Sequence, residues 1–218
     1  MMRLWAKVSM TVLVAGTMGG VLTPSVASAK STTKFVNRDL QSYYKSAKAK
    51  SAFHFATIQS TTNSKKAATM LVMGDFGSDP SVKYGALTSL KMSKNNKVLT
   101  TKYRILNFKQ SGDKTTTSLS KKTYTFKLTK KSTNKFSAKL TGTKANRRLG
   151  TSGKTYTYTR TKTSPAKAYA TKYVQPTMYQ KYLKAFDSID ATQAQKEQVA
   201  TKYANDAVTT MVKNFNVK

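Results

Sequence analysis

Residues equipped for chemistry are scarce in this chain, and their spacing narrows them further. His54 is the single histidine of 218 residues and stands between Phe53 and Phe55. An imidazole held between two large apolar rings reads as a structural side chain rather than a general base. One histidine rules out His-rich zinc sites, and the absence of cysteine rules out thiolate ligands and cysteine nucleophiles. The acids beyond the leader are Asp39, Asp75, Asp79, Asp113, Asp187, Asp190, Glu197 and Asp206. Asp75 and Asp79 share a loop with Gly74 and Gly77, where paired carboxylates would suit acid–base work or a weak cation site. The ligand order of a calcium loop is missing there, so the loop reads as structural. Asp75-Phe76-Gly77 spells the metal-binding triplet of kinases, but none of the accompanying kinase motifs is present and the match is chance. No Gly-x-Ser-x-Gly elbow marks a serine nucleophile, and Ser152 between Thr151 and Gly153 is ordinary turn composition. The expectation is a protein without catalytic residues, metal or cofactor.

Binding chemistry is better supplied. Lys121, Lys122, Lys127, Lys130, Lys131, Lys139, Lys144, Arg147, Arg148, Lys154, Arg160 and Lys162 crowd the second half of the chain, with Tyr124, Tyr156 and Tyr158 among them. Cations interleaved with aromatic rings suit single-stranded nucleic acid or sugar-phosphate chains. The blander alternative is that the tyrosines fill a core while the lysines solvate an outer face, and Tyr124 is expected to do the former.

The charge of the whole chain points the same way. Arg3 and Lys7 precede an apolar and small-residue stretch from Val8 to Leu22, and Ala27-Ser28-Ala29 offers the pattern that signal peptidase reads. Cleavage is expected before Lys30, and the stretch is too short and glycine-rich to remain as a membrane span. Removal of residues 1–29 takes away two cations and no acid, so the formal charge falls from +31 to +29 over the remaining 189 residues. A small soluble domain typically carries a net charge of about 2–8. Arginine beyond the leader occurs only at 38, 104, 147, 148 and 160, so point-charge attraction by lysine outweighs forked recognition. Such a surface should adhere to dense polyanions. The expected partner is an anionic cell-wall polymer of the teichoic-acid kind. Extracellular nucleic acid or a host glycosaminoglycan is the alternative, and a wall hydrolase relying on Asp75 and Asp79 is a remoter one. Neither a lipobox cysteine nor a sorting motif is present, so a secreted protein, released or held non-covalently at the surface, is expected.

The elements that must position these cations read as one α+β domain over 30–218. Asn37 suggests a helix cap, with an N-terminal helix running to about Lys50 along Leu40, Tyr43, Tyr44 and Ala47. Strands follow over about 52–163, in an antiparallel meander of about five to six. Ala67–Met73 suits either strand or helix. The cleanest alternation is Tyr124, Phe126, Leu128 against Thr125 and Lys127, then Phe136, Ala138, Leu140 against Ser137 and Lys139, joined by a hairpin at Lys130–Asn134. One sheet face is therefore apolar and the other Lys/Thr-rich. From about 166 to 215 the pattern returns to helix, interrupted at Pro176, with a C-terminal helical hairpin expected to pack on the sheet. Asp190 or Thr192 caps a last helix with a stripe of Val199, Tyr203, Ala207, Met211 and Phe215.

In composition and in the layout of the signal at Met1–Lys30, the chain resembles the small, Lys/Thr/Tyr-rich, cysteine-free exported proteins of Gram-positive lactic acid bacteria. That resemblance implies association with the cell wall through its anionic polymers and implies no catalytic residues.

Overall fold

A computed structural model describes residues 33–59, 67–141 and 155–217. The open meander of five or six strands is corrected by it: eight antiparallel strands close into a barrel. They are β1 (Tyr43–Ser46), β2 (Ser51–Gln59), β3 (Ala67–Asp75), β4 (Ser81–Met92), β5 (Val98–Ser111), β6 (Lys114–Lys130), β7 (Lys135–Thr141) and β8 (Thr155–Thr161). Each strand pairs with its sequence neighbour, and β8 returns to pair with β1 through Tyr43↔Thr161 and Lys45↔Thr159. Closure pairs every strand on both sides, except where the β5–β6 hairpin from about Leu106 to Thr123 runs past its neighbours.

The N-terminal helix is corrected as well. Helix α1 is one turn, Asn37–Leu40, capped at Val36 rather than Asn37, and the chain then enters β1. The apolar residues that fit a helical stripe serve strand alternation instead, with Tyr44 inward and Tyr43 outward, because pairing on both sides of β1 outweighs weak local helix propensity.

Period-2 alternation divides the apolar residues into two cores. Inside the barrel, Phe53 is the hub. Its ring stacks on Tyr44 at 4.6 Å and meets Phe126 and Tyr158 edge-on at 4.9 and 5.0 Å. Leu71, Met73, Leu99, Leu128 and Phe136 fill the remainder. An eight-stranded barrel is just wide enough for side chains to fill it, and here they do. Gly85 is part of that packing, because a Cβ there would sit 2.5 Å from the Tyr103 ring.

Outside, the wall of β2–β4 carries Ala52, Ala56, Met70, Val72 and Tyr84, which the C-terminal helices cover. These helices are α2 (Ala166–Tyr169), α3 (Gln175–Ala185) and α4 (Gln193–Phe215). A π-helical turn at Ala170–Val174 joins α2 to α3, so Pro176 falls in the first turn of α3 and does not interrupt the helical segment as expected. Thr192 caps α4, its hydroxyl accepting the Gln195 N–H. The buried stripe of α4 is Ala200, Ala204, Met211 and Phe215, while Val199 is exposed. Helices α3 and α4 form the hairpin, with Tyr182 against Tyr203 at 5.3 Å. Phe215 seats over Gly74, where a Cβ would come within 2.8 Å of its ring.

His54 lies under this seat, on the outward side of β2. Its Nε2 is 2.8 Å from the Phe215 carbonyl, and its ring packs between Tyr43 and Phe215. Burial holds its pKa below the usual 6.5, against smaller upward pulls from hydrogen bonds to the Phe215 and Phe55 carbonyls. Above the ordinary value both folded and unfolded chains hold the imidazole neutral. As pH falls through about 6.5 the unfolded chain takes up the proton first, so folding weakens until the depressed folded pKa is passed. Between pH 7.5 and 5.5 the melting temperature should therefore fall more for the parent than for His54→Gln, as followed by circular dichroism. Identical slopes would mean that the imidazole is hydrated in the folded chain.

Candidate polyanion-binding surface

From Thr123 on β6 through β7 and β8, the residues between the inward positions are almost all Lys, Thr or Ser, and β4 and β5 add Lys91 and Lys102. Lys127 stands exposed between the buried Phe126 and Leu128, and half-buried Lys139 follows buried Ala138. Lys102 is exposed between buried Thr101 and Tyr103, and Lys91 lies outward between Leu90 and Met92, which pack on the inner core. Strands β4–β8 contain no Asp or Glu. Asp113 lies in the β5–β6 turn, Asp75 ends β3, and Asp187, Asp190, Glu197 and Asp206 belong to the helical hairpin region. The charge on this wall is therefore all positive, while Val82, Tyr84, Leu106, Phe108 and Leu119 add an apolar stretch toward the bulged end of β4–β6. A barrel that spans a bilayer presents an apolar band outward, whereas Lys91, Lys102, Lys127 and Lys139 put ammonium groups on the outer face of β4–β7. Among the described residues no helix is long and apolar enough to cross a membrane.

The register brings some expected residues together and separates others. Lys127 and Lys139 are direct cross-strand partners. Lys121 and Lys122 are exposed in the irregular stretch of β6 opposite the Arg104–Leu106 bulge, about 20 Å along the strand from Lys127. Lys131 is exposed in the β6–β7 turn and Lys162 is exposed just past β8. Lys144, Arg147, Arg148 and Lys154 lie outside the described residues.

Lys130 and Arg160 have a different place from the one expected. Both reach Asp39, which is fully buried: Lys130 Nζ lies 2.7 Å from Oδ2, and Arg160 Nη1 contacts Oδ1. Oδ2 also accepts the Val36 N–H at 2.9 Å, and Lys130 donates to the Lys34 carbonyl at 2.7 Å. The Tyr44 hydroxyl donates to the Asp39 carbonyl; burial and the Asp39 charge push its pKa up, Arg160 pulling the other way. This cluster pins the segment before β1 across one end of the barrel, where Phe35 packs on Phe136 at 5.7 Å. The signal was local: Lys130 has the parity of Phe126 and Leu128, and Arg160 that of Tyr156 and Tyr158, so both point inward.

The tyrosines also face inward. Tyr124 and Tyr158 are buried, and half-buried Tyr156 packs against the inner core. Burial raises the Tyr158 pKa to about 12, against a smaller downward pull from its hydrogen bond with Ser51. No aromatic face from this set is offered to a base or a sugar. Sequence reasoning missed Lys91, Lys102, Lys45 and Lys135, which share the outer wall. Alternation marks each of them as outward, but only the register joins them to Lys127 and Lys139.

Asp75 and Asp79, the acids that could have paired in the Gly74–Pro80 loop, separate by burial. Asp75 is buried, with Oδ1 accepting the Gly77 N–H at 2.8 Å, and Asp79 is exposed. At this end of the barrel a pocket of about 330 Å³ opens between β4 and the bulged β5–β6 pair, lined by Tyr84, Ile105, Phe108 and Tyr124 among others. Among the described residues no three His, Asp or Glu side chains gather as a metal-ligand set. The chain matches no protein-family model, no curated protein and no solved structure.

Proposed function

We propose that this is a secreted, surface-associated protein that holds anionic cell-wall polymers non-covalently through its lysines. The observation that carries this reading is the outer wall of β4–β8, where Lys91, Lys102, Lys127 and Lys139 alternate with hydroxyl side chains and no carboxylate offsets them. A cationic wall on a rigid closed barrel attracts dense polyanions over a Debye length, about 8 Å at physiological ionic strength. Lysine makes the attachment reversible, because each ammonium is a hydrated point charge rather than a fork.

The test is binding of the protein lacking residues 1–29 to isolated Gram-positive walls across a salt series. Association in low salt and release as salt rises are expected. The logarithm of affinity should fall linearly with that of salt, with a slope of about 0.7–0.9 per phosphate neutralised. Walls stripped of their phosphate polymers should no longer hold the protein. Retention at molar salt, or equal binding to stripped walls, would replace this reading with a shaped pocket for an uncharged ligand. Binding to DNA or heparin in preference to walls would favour a matrix or adhesin role.

A further inference from the structure

The register aligns five outward positions in one row across five strands. Lys91 on β4 pairs with Thr100 on β5, Thr100 with Lys127 on β6, Lys127 with Lys139 on β7, and Lys139 with Thr155 on β8. We propose that this row is a binding strip for a linear polyol-phosphate chain laid across the strands, with Lys127 and Lys139 clamping one phosphate and Lys91 taking another. The proposal rests on the polyanion reading above and specifies where and what it binds.

Three observations carry it. First, like charges placed directly opposite on neighbouring strands destabilise a sheet. Lys127 and Lys139 are such a pair, their outward neighbours Thr125, Thr129 and Ser137 are uncharged, and strands β4–β8 carry no acid to offset them. A phosphate between the two ammonium groups turns that repulsion into two charge-assisted hydrogen bonds. Second, neighbouring strands lie about 4.8 Å apart, so Lys127 and Lys139 share one anion while Lys91 stands about 10 Å from Lys127. Flexible lysine stems cover that interval, and Thr100 between them offers a hydroxyl that both donates and accepts toward polyol oxygens. Third, the strip has no arginine fork for a base edge, and the nearby tyrosines Tyr103, Tyr124 and Tyr158 are buried inside the barrel. Single-stranded nucleic acid depends on stacking platforms, and no residue of the row Lys91, Thr100, Lys127, Lys139 and Thr155 is aromatic. The chemistry therefore selects phosphate joined to hydroxylated spacers over phosphate joined to bases.

The experiment compares binding of synthetic poly(glycerol phosphate) and of oligothymidylate with equal phosphate number, at several salt concentrations. The proteins are the parent, the double variant Lys127→Gln/Lys139→Gln and the charge-matched double variant Lys181→Gln/Lys184→Gln on exposed positions of α3. The row variant should lose at least about tenfold in affinity for poly(glycerol phosphate), and its salt slope should fall by about 0.7–0.9, for the one phosphate that the pair holds. The helix variant should lose less than about threefold. Without ligand, the row variant should melt no lower than the parent, which separates loss of contact from loss of fold. Equal losses in the two variants would overturn the row while leaving the polyanion reading standing. Tighter binding of oligothymidylate by the parent would overturn the ligand class. Failure of the parent to bind either polymer would remove both the row and the reading beneath it.

Discussion

Asp39→Ala should destabilise the protein by about 3–5 kcal/mol, the usual cost of removing one partner from a buried ion pair. Asp39 is the single acid facing Lys130 and Arg160, with side-chain exposures of 0%, 3% and 10%. Truncation leaves two cations facing each other in a site with little water, and it frees the Val36 N–H. Converting the cluster as a whole should cost far less, because well-packed apolar replacements of a buried ionic triad are often neutral or stabilising. Asp39→Leu/Lys130→Met/Arg160→Leu is therefore expected to recover most of the stability lost by Asp39→Ala in urea unfolding. A cost below about 1 kcal/mol for Asp39→Ala would mean that solvent reaches the cluster, as at an ordinary surface ion pair.

Phe126→Ala should cost about 3–5 kcal/mol, while Lys127→Ala should lie within about 0.5 kcal/mol of the parent. Phe126 is 2% exposed and meets the Phe53 ring edge-on at 4.9 Å, so truncation opens a cavity beside the hub of the inner core. Lys127 has the opposite parity and is exposed on the outer face. Thermal melts of the two variants decide the matter, and similar melting temperatures would mean that β6 has the opposite face inward.

That contrast also measures how far the sequence could be read. Alternation around Phe126 and Phe136 placed the inner and outer faces correctly, and the turns at Ser111–Asp113 and Lys130–Asn134 fall between β5, β6 and β7. Both signals are local, set by side-chain period and turn chemistry. The first strand was hidden because Leu40, Tyr43, Tyr44 and Ala47 fit a helical spacing equally well, and four residues carry too little pattern to decide. Closure was hidden for a different reason. The pairing of Tyr43 with Thr161 joins positions that only the assembled barrel brings together. The candidate surface divides in the same way: the outward lysines follow from alternation, whereas their alignment into a row follows from register alone. Lys130 and Arg160 were misread because composition was weighed over parity.

The β1–β8 seam sets the order in which the protein can be finished. Its two halves stand at opposite ends of the strand sequence, and one of them, β1, is only Tyr43–Ser46. Until Thr161 is present, a chain emerging from its N-terminus holds seven staves with two raw margins, and the hub around Phe53 lacks Tyr158. The seam is the one pairing of high sequence separation in the barrel, and such pairings form slowly. The stave that closes the barrel is thus the last of the eight to be made, and the pairing of β1 with β8 cannot form before it.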